Sequence, residues 1–458
     1  MLSPEDTIAA IATPLGEAAL GLVRLSGPRC LEVADRCFRP SGQGSLPSHC
    51  ATHTAHYGHI VRDGRVVDEV MVLILRAPRT FTREDSVEIG CHGGLVVVKA
   101  VLEAVLAAGA RPAEPGEFTR RAFLSGRIDL TQAEAVADLI HARTEFAASV
   151  AQEQLAGKLS KQIEALRAEL MEALAVVEAH IDFPEEDLPP QTQAGLWDRV
   201  TRARAFVGRL LARAGEGQVL RRGLRAALVG RPNAGKSSLL NHLLGHERAI
   251  VSPTPGTTRD TIEETASIRG IPVIFIDTAG MRETADAVER EGVERSRRAM
   301  GTADLVLHVV DQSEPPHSDD LSLLADGSGS KSILILNKCD RSCHPDWTRV
   351  VDLREAVRIS CLEGTGLEDL KEVVSRRVWQ GGGPAESWQL MINARHQDAL
   401  RRAGEALEKA QAAMESNWTL EIAAMELRAA AGAAGEVVGK TSTEDLLDLI
   451  FSKFCIGK

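Results

Sequence analysis

The spacing of apolar residues changes along the chain, and each change predicts a different architecture. Up to residue 120, short alternating runs predict strands. Gly21-Leu-Val-Arg-Leu-Ser-Gly27 closes on a turn, Val66–Leu75 reads as a second strand, and Val87–Gly94 ends in a glycine turn. Leu95–Ala108 then reads as a helix stopped by Gly109, and together these signals predict a small α+β domain. From Phe118 the period becomes helical. Leu130–His141 carries apolar residues at helical spacing. Leu155, Leu159, Ile163, Leu166, Leu170, Leu174 and Val177 recur three or four residues apart, which predicts one long amphipathic helix. Its stripe reads first as bundle core and second as a dimer seam. The prolines and acids of Asp182–Pro190 break it, and helix resumes over Leu196–Arg213. Beyond residue 223, apolar strands at Arg225–Val229, Val273–Ile276, Leu305–Val310, Ile333–Leu336 and Val357–Ile359 alternate with helices, the pattern of a doubly wound parallel sheet. Gly381-Gly-Gly-Pro384 closes that stretch and helix returns to the C-terminus.

The expected fold is therefore an α+β N-terminal domain over 1–120, an all-α helical-bundle domain split into 121–222 and 381–458, and an α/β domain over 223–380 inserted between the halves. Both ends of an inserted domain leave from neighbouring points.

Composition sharpens this picture. With 458 residues the chain is too long for one core. A formal charge of −11 and a single tyrosine, Tyr57, exclude a surface that attracts nucleic acid as a whole. Any RNA contact needs a local basic patch or a partner. Arg199, Arg202, Arg204, Arg209, Arg213, Arg221, Arg222 and Arg225 either form such a patch, facing tRNA, or line a solvated helix face; the second reading is preferred. The eight cysteines make no C-x-x-C pair, which predicts free thiols in a reducing compartment. With no signal peptide and no long apolar run, a cytoplasmic protein is expected. His53, His56 and His59 lie in strand-like sequence, where a spacing of three alternates faces and argues against a shared metal.

The candidate chemistry is concentrated in the α/β stretch. Gly230-Arg-Pro-Asn-Ala-Gly-Lys-Ser237 fits G-x-x-x-x-G-K-[ST] between a strand and a helix. Glycines let backbone N–H groups face phosphate, Lys236 reaches the β/γ-phosphates, and the Ser237 hydroxyl ligates Mg²⁺. Ser238 continues into the helix, whose N-terminal end adds positive charge. Gly256-Thr-Thr258 supplies a threonine for the same metal. Asp277-Thr278-Ala279-Gly280 puts a carboxylate at the metal's water shell and an N–H at the γ-phosphate. Asn337-Lys338-Cys339-Asp340 offers a carboxylate that accepts from guanine N1–H and N2–H₂, and Ser360-Cys361-Leu362 finishes the base pocket. Five motifs in this order at strand ends predict GTP binding. Met281 stands where Ras-like enzymes hold a water-orienting glutamine, so another group must take that task; Glu283, Glu289 and Glu291 are the nearby acidic candidates, and each also reads as a solvated helix residue. No cis arginine finger is recognisable. Asn233, Ala234 and Gly235 complete the loop, and Asn233, Ser252, Thr254 and Thr257 offer oxygens suited to a monovalent cation.

With those residues in hand the sequence resembles the MnmE (TrmE) family of tRNA-modification GTPases over its whole length. The most specific parts are Asp6-Thr-Ile-Ala-Ala-Ile-Ala-Thr-Pro-Leu-Gly16, Pro115-Gly-Glu-Phe-Thr-Arg-Arg-Ala-Phe-Leu124, Asp182-Phe-Pro-Glu-Glu-Asp187 and the terminal Phe454-Cys-Ile-Gly-Lys458. The resemblance implies a homodimeric, K⁺-stimulated GTPase. With an FAD-dependent partner, MnmG (GidA), it would install a carboxymethylaminomethyl or aminomethyl group on carbon 5 of the tRNA wobble uridine. The one-carbon unit would come from 5-formyl- or methylene-tetrahydrofolate. It further implies that Asn233, Ser252, Thr254 and Thr257 frame K⁺, that Ser237 and Thr258 ligate Mg²⁺, and that Glu289 orients the attacking water alongside Lys236. Arg24, Glu88, Arg127 and Lys458 match the folate positions. Arg and Lys suit the folate's carboxylates, and Glu88 suits the pterin N–H edge. Arg24 and Glu88 also read as an ordinary surface pair, and Cys455 as either an activated or an inert thiol. Pro253 and Pro255 depart from the family and stiffen the cation loop. The alternative function is a switch GTPase for ribosome or RNA assembly, which calls for a basic, aromatic RNA-binding domain; a third reading makes the remaining parts a dimerisation scaffold only.

Overall fold

A computed structural model describes residues 6–182, 189–245, 264–276, 289–326, 331–352, 356–379, 391–415, 420–441 and 443–458. The chain divides into two compact units, Met1–Ala137 with Gly435–Lys458, and Asp138–Ala434.

In the first unit β1 (Ile8–Ile11), β2 (Ala18–Ser26), β3 (Phe38–Pro40), β4 (Thr54–Arg62), β5 (Arg65–Leu75), β6 (Ser86–Gly93) and β7 (Arg111–Pro112) form one sheet, in the order β3-β4-β5-β6-β2-β1-β7. Neighbours run antiparallel except β1 and β7. The β4–β5 turn is Asp63-Gly64, with φ of +50° and +75°. Both residues tolerate that left-handed turn, which matches strand twist. Alternation then decides the faces: β6 buries Val87, Ile89 and Cys91 and turns Glu88 and His92 the other way. The buried row packs with Val23, Leu25, Val72 and Ile74 against the helices Cys30–Cys37 and Leu95–Ala107. His56 and His59 lie on β4, and among the described residues no group of three ligand side chains could hold a metal. Glu117, 1% exposed, is bonded by Arg111 (2.7 Å) and Arg121 (3.0 Å). The C-terminal helix Glu444–Phe451, capped by the Thr443 hydroxyl, packs on the helix Glu117–Leu124.

The second unit combines a helical bundle with the α/β part. Its helices Glu145–Leu155, Lys158–Asp182, Pro190–Ala212 and Ala394–Glu415 pack in sequence-neighbouring and long-range pairs. The single helix expected from Leu155 to Val177 is interrupted: Leu155 ends one helix and Leu159 lies in the next. The cause is Gly157, which takes φ of +82° and stops the hydrogen-bond ladder. Leu159, Ile163, Leu166, Leu170, Leu174 and Val177 are buried within the chain, as bundle core requires. The arginines of the proposed patch meet acids instead: Arg199 reaches Glu172 (2.6 Å), Arg221 grips Asp138 with two bonds (2.7 and 2.5 Å), and Arg222 reaches Asp304 (2.9 Å). Arg202 pairs with Asp198, and Arg204 with Glu408 (3.0 Å).

The α/β part has β8 (Leu224–Val229), β9 (Glu264–Ile268), β10 (Ile271–Ile276), β11 (Leu305–Asp311), β12 (Ser332–Asn337) and β13 (Val357–Arg358), in the order β13-β12-β11-β8-β10-β9. All neighbours are parallel except β9, which runs antiparallel to β10 at the edge. The sequence pattern did not predict β9. Its Glu-Thr-Ala-Ser-Ile sends only Ala266 and Ile268 into the core, and the tight turn Arg269-Gly270 fixes its register. Leu220 and Leu224, where the chain enters this part, share a core cluster with Trp379, where it leaves. Nearby, a Cβ on Gly217 would lie 2.7 Å from the Ile392 carbonyl oxygen, so the chain before and after this part runs close together there.

Candidate nucleotide-binding site

Strand β8 ends at Val229 and the helix Lys236–Gly245 begins at the signature lysine, so the phosphate loop spans Gly230–Gly235 between them. A Cβ on Gly230 would stand 2.0 Å from the Val309 carbonyl oxygen of the neighbouring strand. One on Gly235 would stand 2.0 Å from Asn337 Nδ2. Both positions admit only glycine because backbone and side chain approach so closely there. Asn233 sits at the loop apex with φ of +62°, a conformation asparagine tolerates. Lys236 Nζ donates to the carbonyl oxygens of Gly230 and Arg231, each at 2.7 Å. Burial pulls its pKa down, and the charge of Asp320 opposes that shift. The ammonium is thus held over the loop.

The base side is built at the ends of β12 and β13. Asn337, 2% exposed, donates from Nδ2 to the Ala234 carbonyl (2.8 Å) and accepts from the Cys361 N–H (3.3 Å). It ties the phosphate loop to the base loop. Asp340 Oδ1 accepts from the Ser360 hydroxyl at 2.6 Å, and that bond holds its carboxyl below the usual carboxylate range. A charged, anchored acceptor is what the two donors of guanine require, and it offers adenine's acceptor N1 nothing. Lys338, at φ of +62°, bonds Asp311 (2.5 Å). Burial works against the charge on Asp311, yet Lys338 and Ser313 hold its pKa down. Leu362 is 85% exposed. Burial raises the Cys361 thiol to about 11, so it stays protonated at neutral pH.

Asn233, Ala234, Gly235, Lys236, Ser237, Ser238, Asn337, Lys338, Asp340, Ser360, Cys361 and Leu362 thus fall on three loops, the end of β12 and the first turn of one helix. Ser252, Thr254, Thr257, Thr258, Asp277, Thr278, Ala279 and Gly280 lie outside the described residues. Glu289 opens the helix Glu289–Thr302, but its side chain is not among those described.

In the first unit the matching positions for a second ligand also converge. Arg24 bonds Glu88 through Nε and Nη2, each at 2.8 Å, and its Nη1 donates to the Gly457 carbonyl (3.4 Å). Burial lowers the pKa of Lys458, as does the charge of Arg24, while Glu88 and Cys455 act the other way. Arg24 lies 5.8 Å from the Phe118 ring centre and Arg127 lies 5.5 Å from that of Phe81. Phe81 packs against the small cluster containing Phe118, and Arg127 donates to the Thr80 carbonyl. Cys455 is exposed, and no disulfide involves it.

Comparison with known proteins bears on both units. The family model described as the MnmE helical domain matches residues 130–455, and that described as the GTP-binding protein TrmE N-terminus matches residues 7–127. The chain belongs to the MnmE family. The tRNA modification GTPase MnmE of Chloroflexus aurantiacus is 49% identical over 457 residues, covering 99% of this chain and 100% of that protein. The proteins of that name from Geobacillus kaustophilus and Bacillus subtilis are 48% and 46% identical, covering 99% of this chain and 99% and 100% of theirs. The family's three-part architecture is the one observed: an α+β N-terminal part, a helical bundle and an inserted α/β part.

Sequence reasoning missed some supporting residues. Gln312, fully buried, donates to the Arg341 carbonyl (2.8 Å) and accepts from Arg358 Nε (3.2 Å), bracing the turn that carries Lys338 and Asp340. A glutamine one residue past a strand carries no motif, so only packing reveals it.

Proposed function

We propose that this chain is a GTP hydrolase that drives modification of carbon 5 of the tRNA wobble uridine. The observation carrying this reading is the joining of the Lys236 loop to the Asp340 base pocket through Asn337, in a chain 49% identical end to end to a tRNA modification GTPase. Lys236 neutralises the phosphates, Asp340 selects guanine, and Glu289 orients the attacking water beside the apolar Met281. Ser237 and Thr258 are the proposed Mg²⁺ ligands. Asn233, Ser252, Thr254 and Thr257 are the proposed frame for K⁺, in the role an arginine finger has elsewhere. Both ions would supply positive charge against the phosphates.

The Arg24, Glu88, Arg127 and Lys458 group suits a tetrahydrofolate: two arginines and a lysine for its carboxylates, one carboxylate for its pterin edge. In this reading the chain works in the cytoplasm as a homodimer with an FAD-dependent MnmG partner and with tRNA. Nucleoside mass spectrometry of bulk tRNA tests it. Cells lacking the gene should lose the modified wobble uridine, and the wild-type gene should restore it where a Lys236→Ala copy does not. An unchanged nucleoside profile rejects the tRNA role and leaves a switch GTPase for RNA assembly.

A further inference from the structure

The helix Lys236–Gly245 starts at the phosphate loop, and its last turns reach the other end of the site. His242, half-buried on that helix, places Nε2 2.6 Å from the Cys361 carbonyl oxygen. A carbonyl only accepts, so Nε2 carries the proton and donates. The Cys361 peptide is thereby gripped on both sides: Asn337 Oδ1 takes its N–H and His242 meets its C=O. The two grips have different origins. Asn337 belongs to the base motif and lies on β12. His242 belongs to no motif and lies six residues beyond Lys236, about 9 Å along the helix axis.

We propose that His242 is a positioning residue for guanine recognition: it fixes the base loop at a set distance from the phosphate loop through the Cys361 carbonyl. The inference rests on the GTP reading above. A helix is stiff along its axis, so a bond from its distal turn carries the position of the phosphate end to the base end. Without that bond the loop from Ser360 to Gly364 keeps its own turn, closed by the Ser360 carbonyl and the Gly364 N–H (2.8 Å), and loses its tie to the helix. The base then meets a loop that must be ordered on binding.

The test uses the full chain and two probes, GDP and inorganic tripolyphosphate, titrated by calorimetry. His242→Ala should weaken GDP about threefold to tenfold, the range for one neutral hydrogen bond, and leave tripolyphosphate binding unchanged. His242→Gln, whose amide can donate to the same carbonyl, should recover most of the loss. Equal weakening of both probes would make His242 a brace of the phosphate helix and overturn the proposal, as would unchanged GDP affinity in the alanine variant. If the wild-type chain shows no preference for GDP over ADP, the GTP reading itself fails; if that preference stands and the alanine variant matches it, only the role of His242 fails.

Discussion

The tasks proposed for Asp340 and Glu289 are separable, and their variants should separate. Asp340→Asn turns one acceptor oxygen into a donor facing guanine's donors. GDP affinity is expected to fall at least tenfold, because a site built to hydrogen-bond one group strongly rejects a mismatch; equilibrium titration of GDP against xanthosine diphosphate, whose base presents an acceptor there, should show the preference reversed. Glu289→Ala is expected to leave GTP binding intact and reduce turnover by at least a hundredfold, within the range for a positioned proton-transfer group. Retained single-turnover hydrolysis would give the water-orienting task to Glu283 or Glu291. Asp340 was legible in sequence because its motif is contiguous. Gln312 and His242 were not, since each acts on a backbone group contributed by a distant segment.

Single helices and strands show the same contrast. The stripe from Leu159 to Val177 was legible because burial on one face repeats at helical spacing. The break at Gly157 was not, because a glycine at helical spacing reads as a tolerated helix residue until its φ of +82° is known. Gly157→Ala should therefore destabilise the second unit by about 1–2 kcal/mol, the left-handed penalty for a residue with Cβ. Gly195→Ala, on the helix Pro190–Ala212 with open space around the added carbon, should instead stabilise by about 0.5–1 kcal/mol. Thermal unfolding of both variants checks the opposite signs.

The first unit as a body depends on charge and on the distant end of the chain. Burial disfavours the Glu117 carboxylate, but Arg111, the Glu114 N–H and Arg121 together bring its pKa below the ordinary glutamate value. A group with a lowered folded pKa contributes stability above its unfolded value and loses it as the pH falls through the folded one. Denaturant unfolding should thus show acid destabilisation setting in as the pH falls below the ordinary glutamate value of about 4.3. Glu117→Gln should cost about 3–5 kcal/mol at neutral pH, the price of breaking a buried pair, and flatten the acid limb. The tail makes a second demand. Phe454 is 7% exposed with its ring 5.3 Å from that of Phe451, and a Cβ on Gly457 would lie 2.5 Å from the Ile11 carbonyl oxygen. Deleting Phe454–Lys458 should lower the first unit's stability by roughly 3 kcal/mol or more while GDP affinity, which resides in the second unit, stays unchanged in the same titration.

Local chemistry was readable from the linear chain. A phosphate loop needs its N–H groups within one short segment, a guanine pocket needs its carboxylate a fixed step past an asparagine, and amphipathic spacing names the buried face of a helix without reference to what covers it. Folding alone decided which distant pieces meet. The antiparallel edge strand β9 exists because a two-residue turn and a neighbouring strand supply its partners, not because its own sequence demands it. The tail Gly435–Lys458 joins the unit that begins at the other end of the chain, and Arg24 meets Phe118 ninety-four positions away in sequence. Such contacts depend on the complementarity of two surfaces far apart in sequence, and neither surface records the other in its own order of residues.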